Sequence, residues 1–285
     1  MERIMLNEII KDHKTLKIDK ELNHVGYNDY KHVYFDKGSG LKYISCTTLI
    51  HEYQQPFDKE YWSQYKAIER ILTPTEFKDL KSEVGYKNVV SQYQNLISDN
   101  QEKITQLNET TQQILNEWQQ TNAESLKKGT TYHKEKEDFY TSKMYAFYNS
   151  VKYNVCTNND LRTHEFGIHP ELLIYDDEFK IAGQVDLLIK TGNKITIRDY
   201  KTNKKLVFNN AFQNMKYPLE HLSDCNFNHY QLQLSLYAYM INKMYGYEIT
   251  DLYIDHYTGT ESISYRCNYL YNEVIDLISY YTSKK

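Results

Sequence analysis

The chain has 285 residues, of which 40% are hydrophobic and 25% charged, and a formal net charge of −4. This length fits one large domain or two, and the mild acidity excludes a globally basic nucleic-acid binder, so a polyanion site has to be local. Four scattered cysteines without a C-x-x-C pair exclude a zinc ribbon and predict reduced, buried thiols.

Residues 1–25 read as a short helix and a connector. Their charges are spread throughout with no apolar segment, so no secretory signal is expected. No apolar run approaches the ~20 residues that span a bilayer, so no membrane partner and a cytoplasmic location are expected. Residues 32–35 and 41–44 flank Asp36-Lys37-Gly38-Ser39-Gly40, a hairpin by turn chemistry. Ser45 or Thr47 is placed to cap a helix through Leu49, Ile50 and Tyr53, and Asp58 to cap one carrying Tyr61, Trp62, Tyr65, Ile68 and Ile71. Thr73-Pro74-Thr75 opens another helix that Gly85 ends. Residues 86–128 then read as a long polar helical region, an arm in which Val90, Tyr93, Ile97, Ile104, Leu107, Ile114 and Trp118 fall near a three-four rhythm.

Beyond Gly129, a helix would put His133 and Glu137 on one face, and the glycine would permit a close backbone or substrate approach. Residues 150–168 read as loop. Strands at 171–175, 181–189 and 195–200 form an antiparallel meander, followed by a polar excursion at 202–228 in which Lys204 and Lys205 are candidates for phosphate contact. A helix at 230–245, strands at 251–257 and 262–267, and a helix at 269–281 complete an α/β arrangement, a mixed sheet with flanking helices.

The stretch 181–201, IAGQVDLLIKTGNKITIRDYK, carries the chemistry. Its first strand is apolar apart from Gln184 and Asp186; its second ends in Asp199-Tyr200-Lys201. Period-2 alternation returns Lys201 to the face of Asp199. Two carboxylates with a lysine beside them suit a hard divalent cation and a phosphate. Twenty-nine tyrosines read mainly as coding bias, although some could stack on bases.

In order, Gly129-x-x-x-His133 with Glu137, Glu171 on a preceding strand, Gly183-x-x-Asp186, Asp199-x-Lys201 and Gln233-x-x-x-Tyr237 resemble the RecB-type branch of the PD-(D/E)xK nuclease superfamily. Ser45-Cys46-Thr47-Thr48 and Trp118 also resemble its single-domain exonucleases, mitochondrial and phage members included. The resemblance implies a restriction-endonuclease-like core at 117–285, with 1–116 as an N-terminal hairpin and helical arm. It implies that His133, Asp186, Asp199 and the Tyr200 carbonyl bind Mg²⁺ or Mn²⁺, with Glu171 and Glu137 as second-metal or outer ligands. Lys201 would position or activate water, and Gln233 and Tyr237 would shape the site and touch the DNA backbone.

Val185 stands where the superfamily's name has proline. Cys225 and Cys267 are too far apart for the cysteine cluster of iron–sulfur relatives, so no such cofactor is expected. No P-loop is present, so no nucleotide cofactor is expected either. The implied activity is a DNA exonuclease, preferring single-stranded ends, in replication, recombination or repair, alongside partner proteins of those processes. The alternatives are a flap endonuclease and a catalytically silent DNA-binding protein of the same fold.

Overall fold

The structure, a computed structural model, describes residues 25–28, 33–157 and 160–284; the helix expected within 1–25 falls almost entirely outside them. The chain divides into two compact units, one of residues 1–55 and 129–285, the other of residues 56–128.

The first unit is built on a ten-stranded mixed sheet: β1 Val25–Asn28, β2 Val33–Asp36, β3 Lys42–Ser45, β4 Tyr145–Tyr148, β5 Val151–Val155, β6 Phe166–Asp176, β7 Ile181–Thr191, β8 Lys194–Lys201, β9 Glu248–Tyr257 and β10 Ser262–Cys267. Strands β6, β7 and β8 are the expected antiparallel meander. It closes at Gly192, whose φ of 59° a side chain would resist. From β3 the path runs through β7, β6 and β5 to β4, and β8 joins β7 to β9.

One edge of β7 is shared between two strands. Strand β3 pairs with its start, at Ile181 and Ala182, and β8 with its end, from Leu187 to Thr191. Residues 183–186 lie between those two ladders. The side-chain alternation also slips here. Val185 and Leu188 join one apolar cluster while Leu187 and Ile189 join another, and the break lies opposite Glu171, whose φ of 49° interrupts β6.

Helix α1 (Cys46–His51) is capped by Ser45, whose hydroxyl accepts from the Thr48 amide at 3.0 Å. In the second unit, Asp58 caps α2 (Lys59–Ile71), and a Thr73–Glu76 capping box opens α3 (Pro74–Val84). The arm at 86–128 is not one helix. Helix α4 (Val89–Leu96) ends, and Asn100 accepts from the Lys103 amide to start α5, which runs from Gln101 to Thr141. Ile97 and Ile104 keep the heptad spacing across the break, so periodicity alone hid it, while Asn100 is a strong N-cap residue. Tyr65, Ile68, Phe77, Val89, Tyr93, Ile97 and Leu107 form this unit's own core.

The loop expected at 150–168 holds strand β5 near its start and the beginning of β6 at its end, with β4 just before it, while the described residues between them are turn and coil. The alternation hid these strands because β4 and β5 are short and β4 carries aromatic or apolar residues on both faces. Helix α6 (Asn226–Tyr245) is buried continuously from Gln231 to Ile241 and packs on β6, β8, β9, α1 and the terminal helix α7 (Tyr271–Ser283). Each fully buried Leu or Ile in it is worth roughly 1.5–3 kcal/mol, so α6 fixes whatever polar residues it carries into the sheet. Gly246 ends it with φ 71°, a left-handed cap.

Candidate metal centre and active site

The site lies where β7 and β8 part. Their ladder ends at the Leu187–Arg198 pair, and beyond it the Asp186 carboxylate takes over from the backbone: its Oδ2 accepts from the Tyr200 amide at 2.6 Å. This bond satisfies a buried N–H and leaves Asp186 Oδ1 turned to His133, whose Nδ1 is 3.4 Å away. The other imidazole nitrogen, Nε2, lies 3.0 Å from the Tyr200 carbonyl, so the ring is oriented by a backbone acceptor while Nδ1 faces the acids.

Ligand atoms of His133, Glu171 and Asp186 all fall within 4.8 Å of one another. Glu171 reaches them because of its left-handed backbone. Strain of this kind, about 1–3 kcal/mol, persists only where the surroundings over-determine it; here β6 pairs with β7 on both sides of the residue, and the Glu171 carbonyl accepts from Gln184 Nε2 at 3.3 Å. Asp199 and Glu137 stand outside this set of three. Glu137 accepts from Lys134 at 2.9 Å, and Asp199 Oδ2 is 2.5 Å from the Lys201 ammonium.

The charges are crowded. Burial and then the charge of Asp186 push Glu171 up to about 8. Burial, partly offset by Lys201, pushes Asp199 up to about 6. For His133 burial acts downward, but the hydrogen bond and charge of Asp186 outweigh it and hold the ring at about 9. For Lys201 burial also acts downward, and the charges of Asp199 and Asp186 outweigh it. Carboxylates close enough that the charge of Asp186 raises both Glu171 and Asp199, with an imidazole nitrogen among them, form the donor set that a divalent cation would relieve.

Helix α6 forms the wall. Gln233 Nε2 donates to Asp199 Oδ1 at 3.2 Å and to the Tyr237 hydroxyl at 2.7 Å. Tyr237 lies so close over Gly183 that a Cβ there would stand 2.5 Å from its ring. Gly183 is therefore the glycine the site requires. At Gly129, where a close approach was expected, a Cβ would meet only Thr202 Oγ1 at an ordinary 3.5 Å. Lys201 also lies 4.6 Å from the centre of the Tyr230 ring. Sequence reasoning missed Tyr230, although its place three residues before Gln233 puts it on the same helix face. Lys204 and Lys205 are exposed, and the backbone carbonyl of Lys205 accepts from Asn226.

The family model of the PD-(D/E)XK nuclease superfamily matches residues 87–262, more than half of the chain. The chain belongs to the PD-(D/E)XK nuclease superfamily. Membership makes it a divalent-metal-dependent nuclease with DNA as its substrate, and the mixed sheet with flanking helices is the restriction-endonuclease-like fold expected of it. His133, Glu171 and Asp186 are the nuclease's acidic metal-site candidates. No curated protein matches the chain. Among solved structures it is similar to one titled "Crystal structure of SSO0001", at 12% identity over 100% of this chain and 86% of that one, with a TM-score of 0.30; at that score the likeness carries no argument. No described helix of the nuclease is long and apolar enough to cross a membrane.

Proposed function

We propose that this nuclease is a Mg²⁺- or Mn²⁺-dependent exodeoxyribonuclease of the RecB-type branch, acting on single-stranded ends in replication, recombination or repair, with residues 117–285 as its catalytic region. The supporting observation is the convergence of His133, Glu171 and Asp186 within 4.8 Å beside the Asp199–Lys201 pair. His133, Asp186 and Asp199 would hold the cation and Glu171 would join them, while the Tyr200 carbonyl, bonded to His133 Nε2, would orient the ring in place of the ligand role expected of it. Glu137 would act from outside, through its charge on Glu171. When bound, the cation neutralises nonbridging phosphate oxygens and makes a water easier to ionise.

The chain's own residues do the rest. Asp186 holds the Tyr200 amide and so fixes the spacing of the two acid-bearing strands. Lys201 puts a buried positive charge where negative charge grows on the phosphate, and orients the attacking water. Gln233 keeps Asp199 and Tyr237 in place, and Tyr237 shapes the wall against which the DNA backbone would lie.

The test is digestion of end-labelled single and double strands, blocked separately at each end, and of a closed single-stranded circle, with Mg²⁺ or Mn²⁺. Loss of open single strands, sparing of the circle and inactivity of Asp199→Ala and Lys201→Ala are expected. Cutting of the circle would turn the reading to an endonuclease, and full activity in both variants would remove the proposed site.

A further inference from the structure

Strands β4 and β5 form a hairpin at one edge of the sheet. Its two-residue turn has Asn149 at φ 47° and Ser150 at φ 65°, the backbone of a tight primed turn that matches strand twist. The hairpin is therefore a defined ledge. Its inner face is apolar: Ala146 and Tyr153 pack in the cluster that contains Tyr132 and Tyr200, the neighbours of His133 and Asp199.

The outer face is different. Register places Tyr145, Phe147, Lys152 and Asn154 together there. Phe147 is 73% exposed and Tyr145 44%, and Met144 just before them is 76% exposed. Single exposed apolar residues need no explanation, but a row of aromatic rings on an edge strand does. The Lys152 ammonium lies 3.7 Å from the centre of the Tyr145 ring, and the Lys143 ammonium lies over Phe139, also exposed, at 3.1 Å. Residues 139–157 contain six aromatic residues, two lysines and no carboxylate, in a chain whose net charge is −4. The nearest acid before them, Asp138, is ion-paired with Lys134.

Exposed rings interleaved with ammonium groups, without acids, are complementary to one kind of polymer. Every base has a face that stacks on an aromatic ring, whatever its sequence, and the phosphates between bases meet the lysines. Duplex DNA hides its base faces and would gain only the lysine contacts. A second copy of this hairpin would offer the lysines no acid, since residues 139–157 contain none.

We propose that the outer face of the β4–β5 hairpin is a docking ledge for single-stranded DNA, on which Phe147 and Tyr145 stack on bases while Lys143 and Lys152 hold phosphates. This rests on the exonuclease reading for its biological sense, but its binding does not pass through the metal centre.

Binding is measured by anisotropy of a fluorescein-labelled oligothymidylate in EDTA, where hydrolysis does not consume the probe. Phe147→Ala is expected to weaken binding on the order of tenfold, in line with the loss of one stacked base. Phe147→Leu keeps apolar area without a ring and is expected to be equally weak; Phe147→Trp is expected to bind like the original chain. Lys143→Gln and Lys152→Gln should each lower the slope of log affinity against log salt by about 0.7. All should hydrolyse a small phosphodiester, bis(p-nitrophenyl) phosphate, at the original rate.

Unchanged binding by Phe147→Ala, or rescue by Phe147→Leu, overturns the ledge. So does a sedimentation shift from dimer to monomer in Phe147→Ala with strand binding intact, which would assign the face to self-association. If the original chain binds the strand but hydrolyses neither DNA nor the small diester with Mg²⁺ or Mn²⁺, the exonuclease reading fails and the ledge stands.

Discussion

We propose opposite uses for two hairpins of one sheet. The β7–β8 hairpin is central and buried on both faces apart from a few positions, and its acids sit among apolar clusters. The β4–β5 hairpin is at the edge, with one face packed and the other in water. In the first, low dielectric makes each charge matter, so Asp186 raises the pKa of Asp199, and both acids raise that of Lys201. In the second, the same aromatic and lysine chemistry is solvated and can act only on something that arrives from outside. Burial turns polar residues into a reactive centre; exposure turns them into a contact surface.

The largest expected effect breaks the comparison at its centre. Asp199→Ala or Lys201→Ala should reduce metal-dependent DNA hydrolysis by about 10²–10³-fold or more, read as initial rates of strand loss, while Tyr145→Ala leaves the hydrolysis of a small diester unchanged. Equal losses at both hairpins would erase the distinction.

Titration comes next. With Glu171 pushed up to about 8 and His133 held at about 9, both carry a proton at pH 7 when no cation is bound. A cation takes the deprotonated ligands, so binding releases protons and tightens as pH rises from 6 to 8, by about tenfold per pH unit for each proton displaced. Mn²⁺ calorimetry in buffers of different ionisation enthalpy measures the release; an affinity that does not change with pH would show that these two groups do not hold the ion.

Packing gives a smaller effect. Gly183→Ala forces Tyr237 or β7 to move, which should cost about 1–3 kcal/mol of stability in urea unfolding, with loss of activity through Gln233 and Asp199. A neutral result would mean that α6 is less firmly seated than its burial suggests. The smallest effect is at the edge. Ser150→Gly removes the strain of a left-handed residue and should stabilise the fold by up to about 1 kcal/mol, with no change in hydrolysis.

Much of this was readable from residues alone. Asp186, Asp199 and Lys201 stand out because strand alternation makes a polar residue inside an apolar run conspicuous, and Gln233 and Tyr237 share a helix face by spacing. The caps at Ser45, Asp58 and Thr73 are local, so they too were legible. The β4–β5 hairpin was not, because its strands are short and its turn is Asn-Ser with no glycine to mark it. The division of the 86–128 arm escaped for a related reason, since one N-cap asparagine does not disturb a heptad rhythm.

What the chain determined by itself are features set over a few residues: the acid and lysine types, their period-2 placement, the caps and the glycine turn. Tertiary structure alone decided that Glu171 takes a left-handed backbone and meets His133 and Asp186, that Tyr200 gives its amide to Asp186, and that Tyr230 lies under Lys201. The physical reason is range. Propensity and capping act within a turn or a strand, whereas these contacts join residues 14 to 53 positions apart across a sheet that parts between β7 and β8; no local preference encodes where a ladder stops.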